Sequence, residues 1–419
     1  MAGPAIDDRN PPPVPRAAWL LLAFLTSLNV LNFVVRQLLP SLAPLLIRDL
    51  GLSRAQIGAL VGFTFVVVYS IVGVALGVVA DRWPRRLLIA GGLATWSVMT
   101  LVSGLARSFS HLAWPRVLTG VGQAALTPAA LAMLAEVFPS RRLGLASGVY
   151  YAGLPIGTAL SLGLAGWMAP RFGWRACFYV VGAVGLAAVA LLPLVRDPRH
   201  GARAGRRPTF AALAGDLRQV LREQPALVLL MLGGSTLTYV SAAATHGVTW
   251  LVEERAFGFA TAASLSGLMV VASGLVGNLA GGWFSDWCRR RWRGGRAWSL
   301  VVLTLFFAPF SVAFYTAAPR SALFFVAWFF SSASTVAYFG PLFSAVQERS
   351  PARARSTLVA FTLLVINIAG VGPGSLVTGW VGDRASLTAG LLISVAVSVA
   401  GTLLFAVVAR ASVRAPSPS

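Results

Sequence analysis

Arg36 stands in the stretch NFVVRQLLP, residues 32–40, inside a long apolar run with no acidic residue near it. A guanidinium at the centre of a bilayer costs roughly 2.5 kcal/mol or more on insertion scales, so its presence needs a reason. Three chemistries suit it. It can line a cavity and hold a ligand carboxylate or phosphate through paired N–H donors. It can hydrogen-bond to Asn32, Gln123 and backbone carbonyls as a structural staple. It can also snorkel to the membrane surface. Further polar side chains in apolar surroundings widen the candidate ligand set to Arg116, Tyr150, His246, Asn278 and Asn367. Arg116 suits tying backbone carbonyls as well as touching a ligand. His246 can carry a proton near neutral pH or serve as a hydrogen-bonded structural histidine. Asparagines in such runs can line a cavity, and they also join helices.

No nucleophile–base pair, metal-ligand cluster or phosphate-binding loop accompanies these residues. Neither enzyme activity nor a resident cofactor or metal is expected. The chain carries a formal charge of +21, and all 34 of its basic residues are arginine. A nucleic-acid partner is not expected, because such proteins gather charge on one polar surface. Here the arginines sit in short clusters between apolar stretches. The two cysteines, Cys177 and Cys288, are too few for a disulfide framework and fall near opposite membrane faces, so two unpaired thiols are expected.

The elements that position these groups follow from composition. Of the 419 residues, 57% are hydrophobic and 11% charged, with a mean hydropathy of +0.76. Soluble domains run at about 45–50% and about 25%. A bilayer crossing takes about 20 apolar residues, and twelve charge-free runs are long enough. They lie at 17–35 (continuing past Arg36 to 47), 55–80, 87–106, 117–135, 143–170 and 176–195, then 224–252, 256–285, 297–319, 321–347, 356–382 and 385–409. With the N-terminus in the cytoplasm, 24 arginines fall on that side and eight on the other, leaving Arg36 and Arg116 within spans. The positive-inside rule therefore puts both termini in the cytoplasm. The start, MAGPAIDDRNPPPVPR, lacks a basic n-region and a cleavage site, so span 1 reads as an uncleaved segment. The expected organisation is a tail (1–16), a six-helix bundle (17–195), a cytoplasmic linker with an amphipathic helix (196–223), a second bundle (224–409) and a tail (410–419). Phe210, Leu213, Leu217, Val220 and Leu221 fall at helical spacing in that linker. Anionic membrane lipids on the inner leaflet are the expected partner of its basic flank, although a solvated linker fits too.

The two halves echo one another. GVVADRWPRR follows span 2 and GWFSDWCRRR follows span 8, placing Gly77 before Asp81 and Gly282 before Asp286 at the same spacing. GLPIG (153–157) in span 5 and GVGPG (370–374) in span 11 each set a proline among glycines. A parallel repeat of this kind suits a transporter that rocks about a central site. Twelve spans in 6+6, with Gly77, Asp81, Arg82, Arg85 and Arg86 between spans 2 and 3, resemble the major facilitator superfamily. The helix-4 segment RVLTGVGQAA resembles that family through Arg116, Gly120 and Gly122. The N-terminal half is more narrowly similar to bacterial Spinster-like transporters. Those show Asn-Tyr-Met-Asp-Arg in helix 1, where this chain has Asn32, Phe33, Val34, Val35 and Arg36. They show Gly-Val-Gly-Glu-Ala in helix 4, where this chain has Gly120, Val121, Gly122, Gln123 and Ala124. The two carboxylates that the resemblance would assign to protons are thus Val35 and Gln123, neither of which titrates.

The resemblance implies an all-α membrane protein of two pseudo-symmetric six-helix bundles. It implies a multi-pass protein of a bacterial inner membrane, a monomer, working by alternating access on a small-molecule or lipid substrate of anionic character. Gly77, Asp81, Arg82, Arg85, Arg86, Gly282 and Asp286 would form the cytoplasmic gate, the aspartates accepting hydrogen bonds from a facing helix end. Glu136 at the end of span 4 reads as an ion-pair partner of Arg141 or Arg142. The alternatives are a proton-coupled efflux antiporter using His246 and a non-transporting receptor on the same fold.

Overall fold

The computed structural model describes residues 14–79, 84–194, 210–351 and 355–414. Among these there is no strand, and twelve helices are long and apolar enough to cross a membrane. Spans 1 to 6 are Arg16–Leu50, Arg54–Gly73, Arg85–Gly104, Phe109–Val137, Arg142–Phe172 and Trp174–Leu191. Spans 7 to 12 are Pro225–Glu253, Phe259–Arg291, Gly295–Thr316, Ala322–Arg349, Thr357–Arg384 and Leu387–Ser412. Twelve crossings return the chain to the side it left. One end of the bundle therefore carries both termini, and the opposite end is the far end.

Two spans outrun their apolar signal. Span 1 continues through Pro40 and Pro44 to a left-handed cap at Gly51. Span 4 begins at Phe109 rather than 117, behind Ser108, whose hydroxyl accepts the His111 N–H. Its first turns carry His111 and Arg116, which end a charge-free run. Arg116 is nevertheless buried inside the helix bundle, because backbone carbonyls receive its donors.

The sequence repeat is a packing repeat. In span 5, a side chain at Gly157 would meet the Val30 carbonyl oxygen at 2.3 Å, and Gly153 lies against Asn29. In span 11, side chains at Gly374 and Gly370 would likewise meet the carbonyl oxygens of Tyr239 and Ser235, each at 2.5 Å. The glycines of GLPIG therefore seat span 5 on span 1, and those of GVGPG seat span 11 on span 7. Small residues allow such backbone approach where lipid supplies no hydrophobic drive.

Each half has its own core. Leu25, Leu38, Leu42, Leu93 and Trp96 belong to that of the first half. The second half has one cluster around Leu230, Leu342 and Phe405 and another around Trp250, Phe314, Phe324 and Trp328. The linker helix forms over Phe210–Glu223. Val220 on it is buried, and Leu217 and Leu221 pack on the second-half core; the side chains of Phe210 and Leu213 lie outside the described residues. Both cysteines are free and buried.

Candidate functional site

Spans 1, 2 and 4 bring Arg36 and Arg116 together and then treat them differently. Arg116 donates from Nη2 to the Arg36 carbonyl oxygen at 2.8 Å, from Nη1 to that of Val35 and from Nε to that of Leu60. It is 5% exposed and fully committed to backbone. Pro40 explains one of these contacts, since the carbonyl four residues before a proline loses its helical donor. Arg36 is half-buried. Its guanidinium makes no hydrogen bond or ion pair among the described residues. Its carbon lies 5.1 Å from the Phe65 ring centroid, 5.4 Å from that of Tyr69 and 5.8 Å from that of Phe33. Phe65 is fully buried and also carries Arg116 over its ring at 4.4 Å. Three aromatic faces thus stand in for the missing carboxylate, which a ring quadrupole does only in part.

Phe65 and its neighbours owe their placement to a π-helical turn, Gly62–Val67, in span 2. A second π-helical turn, Asn367–Val371, faces it from span 11. A side chain at Gly62 would meet the Gly372 carbonyl oxygen at 2.7 Å. Single π turns recur at functional sites, and here the first supplies Phe65 to the Arg36 cage while the second joins the halves beside it through Asn367 and Ser70.

The other sequence candidates divide into scaffold and rim. Gln123 is fully buried and donates to the Asn32 carbonyl oxygen at 3.2 Å, so neither residue reaches Arg36 as a partner. Tyr150 is buried with its hydroxyl 3.1 Å from that of Thr127. Asn367 donates across the halves to Ser70 at 3.0 Å. Asn278 is exposed on span 8 and makes no hydrogen bond among the described residues. His246 is wholly buried at a 3-10 turn of span 7, its Nε2 2.8 Å from the Ser375 carbonyl oxygen and its Nδ1 without a partner. It sits in the seal between the halves rather than beside Arg36.

That seal closes the far end. Span 2 starts with a capping box between Ser53 and Gln56. The next two orphan N–H groups, of Arg54 and Ala55, donate to the carboxylate of Asp383 on span 11 at 2.8 and 2.9 Å. Helix-terminal N–H groups need such acceptors. Here the acceptor comes from the other half. Arg54 further donates to the Gly382 carbonyl oxygen and pairs with Glu253 of span 7 at 2.7 Å. Gly379 permits the contact, because a side chain there would meet the Arg54 carbonyl oxygen at 2.2 Å. Gly58 lies equally close to Ser375, and Gly166 and Gly267 seat spans 5 and 8 on each other. Among the described residues, every hydrogen bond joining the halves lies in this seal or at its inner border, the Asn367–Ser70 pair.

A model of the Major Facilitator Superfamily matches residues 22–373. An MFS-type efflux pump of Mycolicibacterium smegmatis is 32% identical over 376 residues, covering 88% of this chain and 85% of that one. The chain belongs to the major facilitator superfamily. It is a transporter-type multi-pass membrane protein and not an enzyme. A gallate transporter of Pseudomonas putida is 31% identical over 195 residues, which is 45% of this chain and 41% of that protein. The fold is also that of a bacterial homolog of the human lysosomal transporter Spinster in an inward-facing, unoccupied conformation. The two match with a TM-score of 0.85 at 22% identity, over 96% of this chain and 99% of that one.

At the termini end, the superfamily's signature loop is only partly in view. Asp81 and Arg82 lie outside the described residues, and Gly77 falls within the helix Val68–Val79. Arg85 is buried and pairs with Glu136 at 2.5 Å; the Arg141 side chain lies outside the described residues. Arg86 reaches the Pro193 carbonyl oxygen. In the second half, Asp286 is exposed on span 8. It binds Arg296 at 3.0 Å, which in turn binds Glu348 at 2.7 Å, tying spans 8, 9 and 10 together. Gly282 has open space where a side chain would stand. The sequence reading passed over Asp383, although Gly379, Asp383 and Arg384 repeat the Gly-x-x-x-Asp-Arg spacing of the loop. The signal was present but lacks the loop's basic tail and lies at the far end.

Proposed function

We propose that this superfamily member is a secondary transporter that moves a small organic anion by alternating access, with Arg36 holding the cargo's negative group. The observation that carries this reading is a guanidinium in a span with aromatic faces around it and, among the described residues, no carboxylate to answer it. A carboxylate or phosphate supplies the missing partner and binds the fork bidentately. The anionic head of an amphipathic lipid offers the same chemistry. The likeness to a gallate carrier and to Spinster proteins supports an anion.

The far-end seal, Asp383 on span 2 and Arg54 on Glu253, is the gate on that side, closed in this conformation. With both termini in the cytoplasm of a bacterium and the protein in its inner membrane, the open access faces the cytoplasm. The Arg85–Glu136 and Asp286–Arg296–Glu348 pairs hold each half rigid while the two halves rock. The proposed working unit is a monomer, whose two halves carry both sides of the gate within one chain.

The test is binding and exchange in proteoliposomes. A panel of carboxylates and phosphates should stabilise the wild type against heat, and Arg36→Gln should abolish that stabilisation while remaining folded. A variant that retains it sinks the reading.

His246 supports a second reading, proton coupling, because its Nδ1 is buried without a partner inside the far-end seal. Proton uptake there belongs to the state in which the seal is open. Transport driven by a pH gradient in the wild type and insensitive to it in His246→Gln would favour this reading. Equal transport with and without a gradient in the wild type would dismiss it.

A further inference from the structure

We propose that the Arg36 site is built for a monocarboxylate with an aromatic body, an inference that rests on the anion-binding reading above. Charge sets the first limit. Arg36 and Arg116 are neighbours, but all the hydrogen bonds of Arg116 go to the carbonyls of Leu60, Val35 and Arg36. One guanidinium is left to offer donors. One carboxylate saturates it, and a second anionic group on the same ligand would be desolvated without a cation of its own.

Shape sets the second limit. The rings of Phe33, Phe65 and Tyr69 lie within 6 Å of the Arg36 guanidinium carbon. Phe65 and Tyr69 are themselves stacked, 5.8 Å apart at 15°. Phe65 is the buried floor between the two arginines, whereas Phe33 and Tyr69 keep part of their surface free. A carboxylate approaches a guanidinium edge-on, in its plane. The rings can therefore stay in place while the ligand's body extends among their edges and faces.

Polarity sets the third. Several hydrogen-bonding groups around the cage are already committed, the Gln123 amide N–H to the Asn32 carbonyl, Ser70 to Asn367 and Tyr150 to Thr127, and Gln123 Oε1 is left as a buried acceptor. A polyhydroxylated acid would leave its water for few replacement hydrogen bonds, at a cost for each hydroxyl left over. An aromatic body loses little on entry and gains ring–ring contact. The hydroxyls of Tyr69 and Tyr151 make no hydrogen bond among the described residues, and the two phenols are within electrostatic reach of each other. They are the hydrogen-bonding groups that a ring hydroxyl on the ligand would meet.

The test measures the affinities of purified full-length protein in lipid nanodiscs for four probes: 3-phenylpropionate, 3-cyclohexylpropionate, gluconate and benzene-1,4-dicarboxylate. The phenyl acid should bind about threefold to tenfold tighter than the cyclohexyl acid of equal charge, and gluconate and the dicarboxylate should bind more weakly than either. Tyr69→Leu should erase the preference for phenyl over cyclohexyl without abolishing binding. Arg36→Gln should abolish binding of all four, and Arg36→Lys should retain a weakened remnant. If cyclohexylpropionate, gluconate or the dicarboxylate binds as tightly as the phenyl acid, and Arg36→Gln still removes it, the aromatic inference is overturned and the anion reading survives. If no probe binds, or if folded Arg36→Gln binds like the wild type, both fall.

Discussion

Two arginines a few ångströms apart make opposite demands on the fold. Arg116 fastens spans 1, 2 and 4 through their carbonyls, while Arg36 spends its charge on aromatic faces alone. Removing them should move stability in opposite directions. Arg116→Leu leaves carbonyls such as that of Arg36 without a donor in a buried place, which costs about 2–4 kcal/mol and should lower the melting temperature. Arg116→Lys should not rescue it, because an ammonium cannot span carbonyls on two helices as a planar fork does. Arg36→Gln removes a cation that no carboxylate among the described residues neutralises, so melting should stay unchanged or rise, while anion binding is lost. A thermal melt of the three variants separates the roles. If Arg36→Gln melts well below Arg116→Leu, the assignment is reversed. Sequence alone marks both residues as out of place but cannot tell them apart. What commits Arg116 is the convergence of carbonyls from residues 35, 36 and 60, a property of three helices meeting and not of any one segment. Gln123 illustrates the same limit: its motif position suggests a cavity residue, but tertiary packing turns its amide onto the Asn32 carbonyl.

At the level of elements, the crossing of spans 2 and 11 governs access. Backbone approaches backbone there through Gly58, Gly62 and Gly379, and Asp383 caps span 2 from the other half. Opening the far end must hand the N–H groups of Arg54 and Ala55 to water. Asp383→Asn keeps the size but weakens two charge-assisted bonds, a loss on the order of 1–2 kcal/mol at this half-exposed site. The open far end should therefore become about tenfold more populated. Labelling of a cysteine introduced at Ser375 by a reagent added on the far side should speed up in that background. Gly379→Leu should act in the same direction and more strongly, since its side chain has no space against the Arg54 carbonyl. Unchanged labelling in both variants would show that the seal lies elsewhere. The number and order of the spans were legible in the sequence, because bilayer thickness and arginine placement constrain them tightly. The paired glycine signals of GLPIG and GVGPG were legible too, and the structure gives them the same job, seating span 5 on span 1 and span 11 on span 7. The π-helical turns at 62–67 and 367–371 left no sequence signal, since they answer to the crossing of two helices from different halves.

For the molecule as a whole, the ion pairs are partitioned in a way that suits two rigid bodies. Arg85–Glu136 and Asp286–Arg296–Glu348 stay within a half, and Arg54–Glu253 spans the halves at the far end. Motion between the halves then breaks the far-end contacts and leaves the others intact. Glu253→Gln should raise far-end accessibility only severalfold, because a half-exposed ion pair is worth about 1 kcal/mol or less. Glu136→Gln strands the buried Arg85 instead, so it should lower the melting temperature with little effect on which end is open. Far-side cysteine labelling and thermal melting of the two variants would reveal any exchange of these phenotypes. Everything nonetheless converges on a single charge in span 1. The most direct test is counterflow exchange of a carboxylate that the wild type binds, measured in proteoliposomes with the Arg36→Gln protein beside it. The account predicts exchange by the wild type and a loss of about a hundredfold in the variant. Exchange at the wild-type rate without the guanidinium would contradict it.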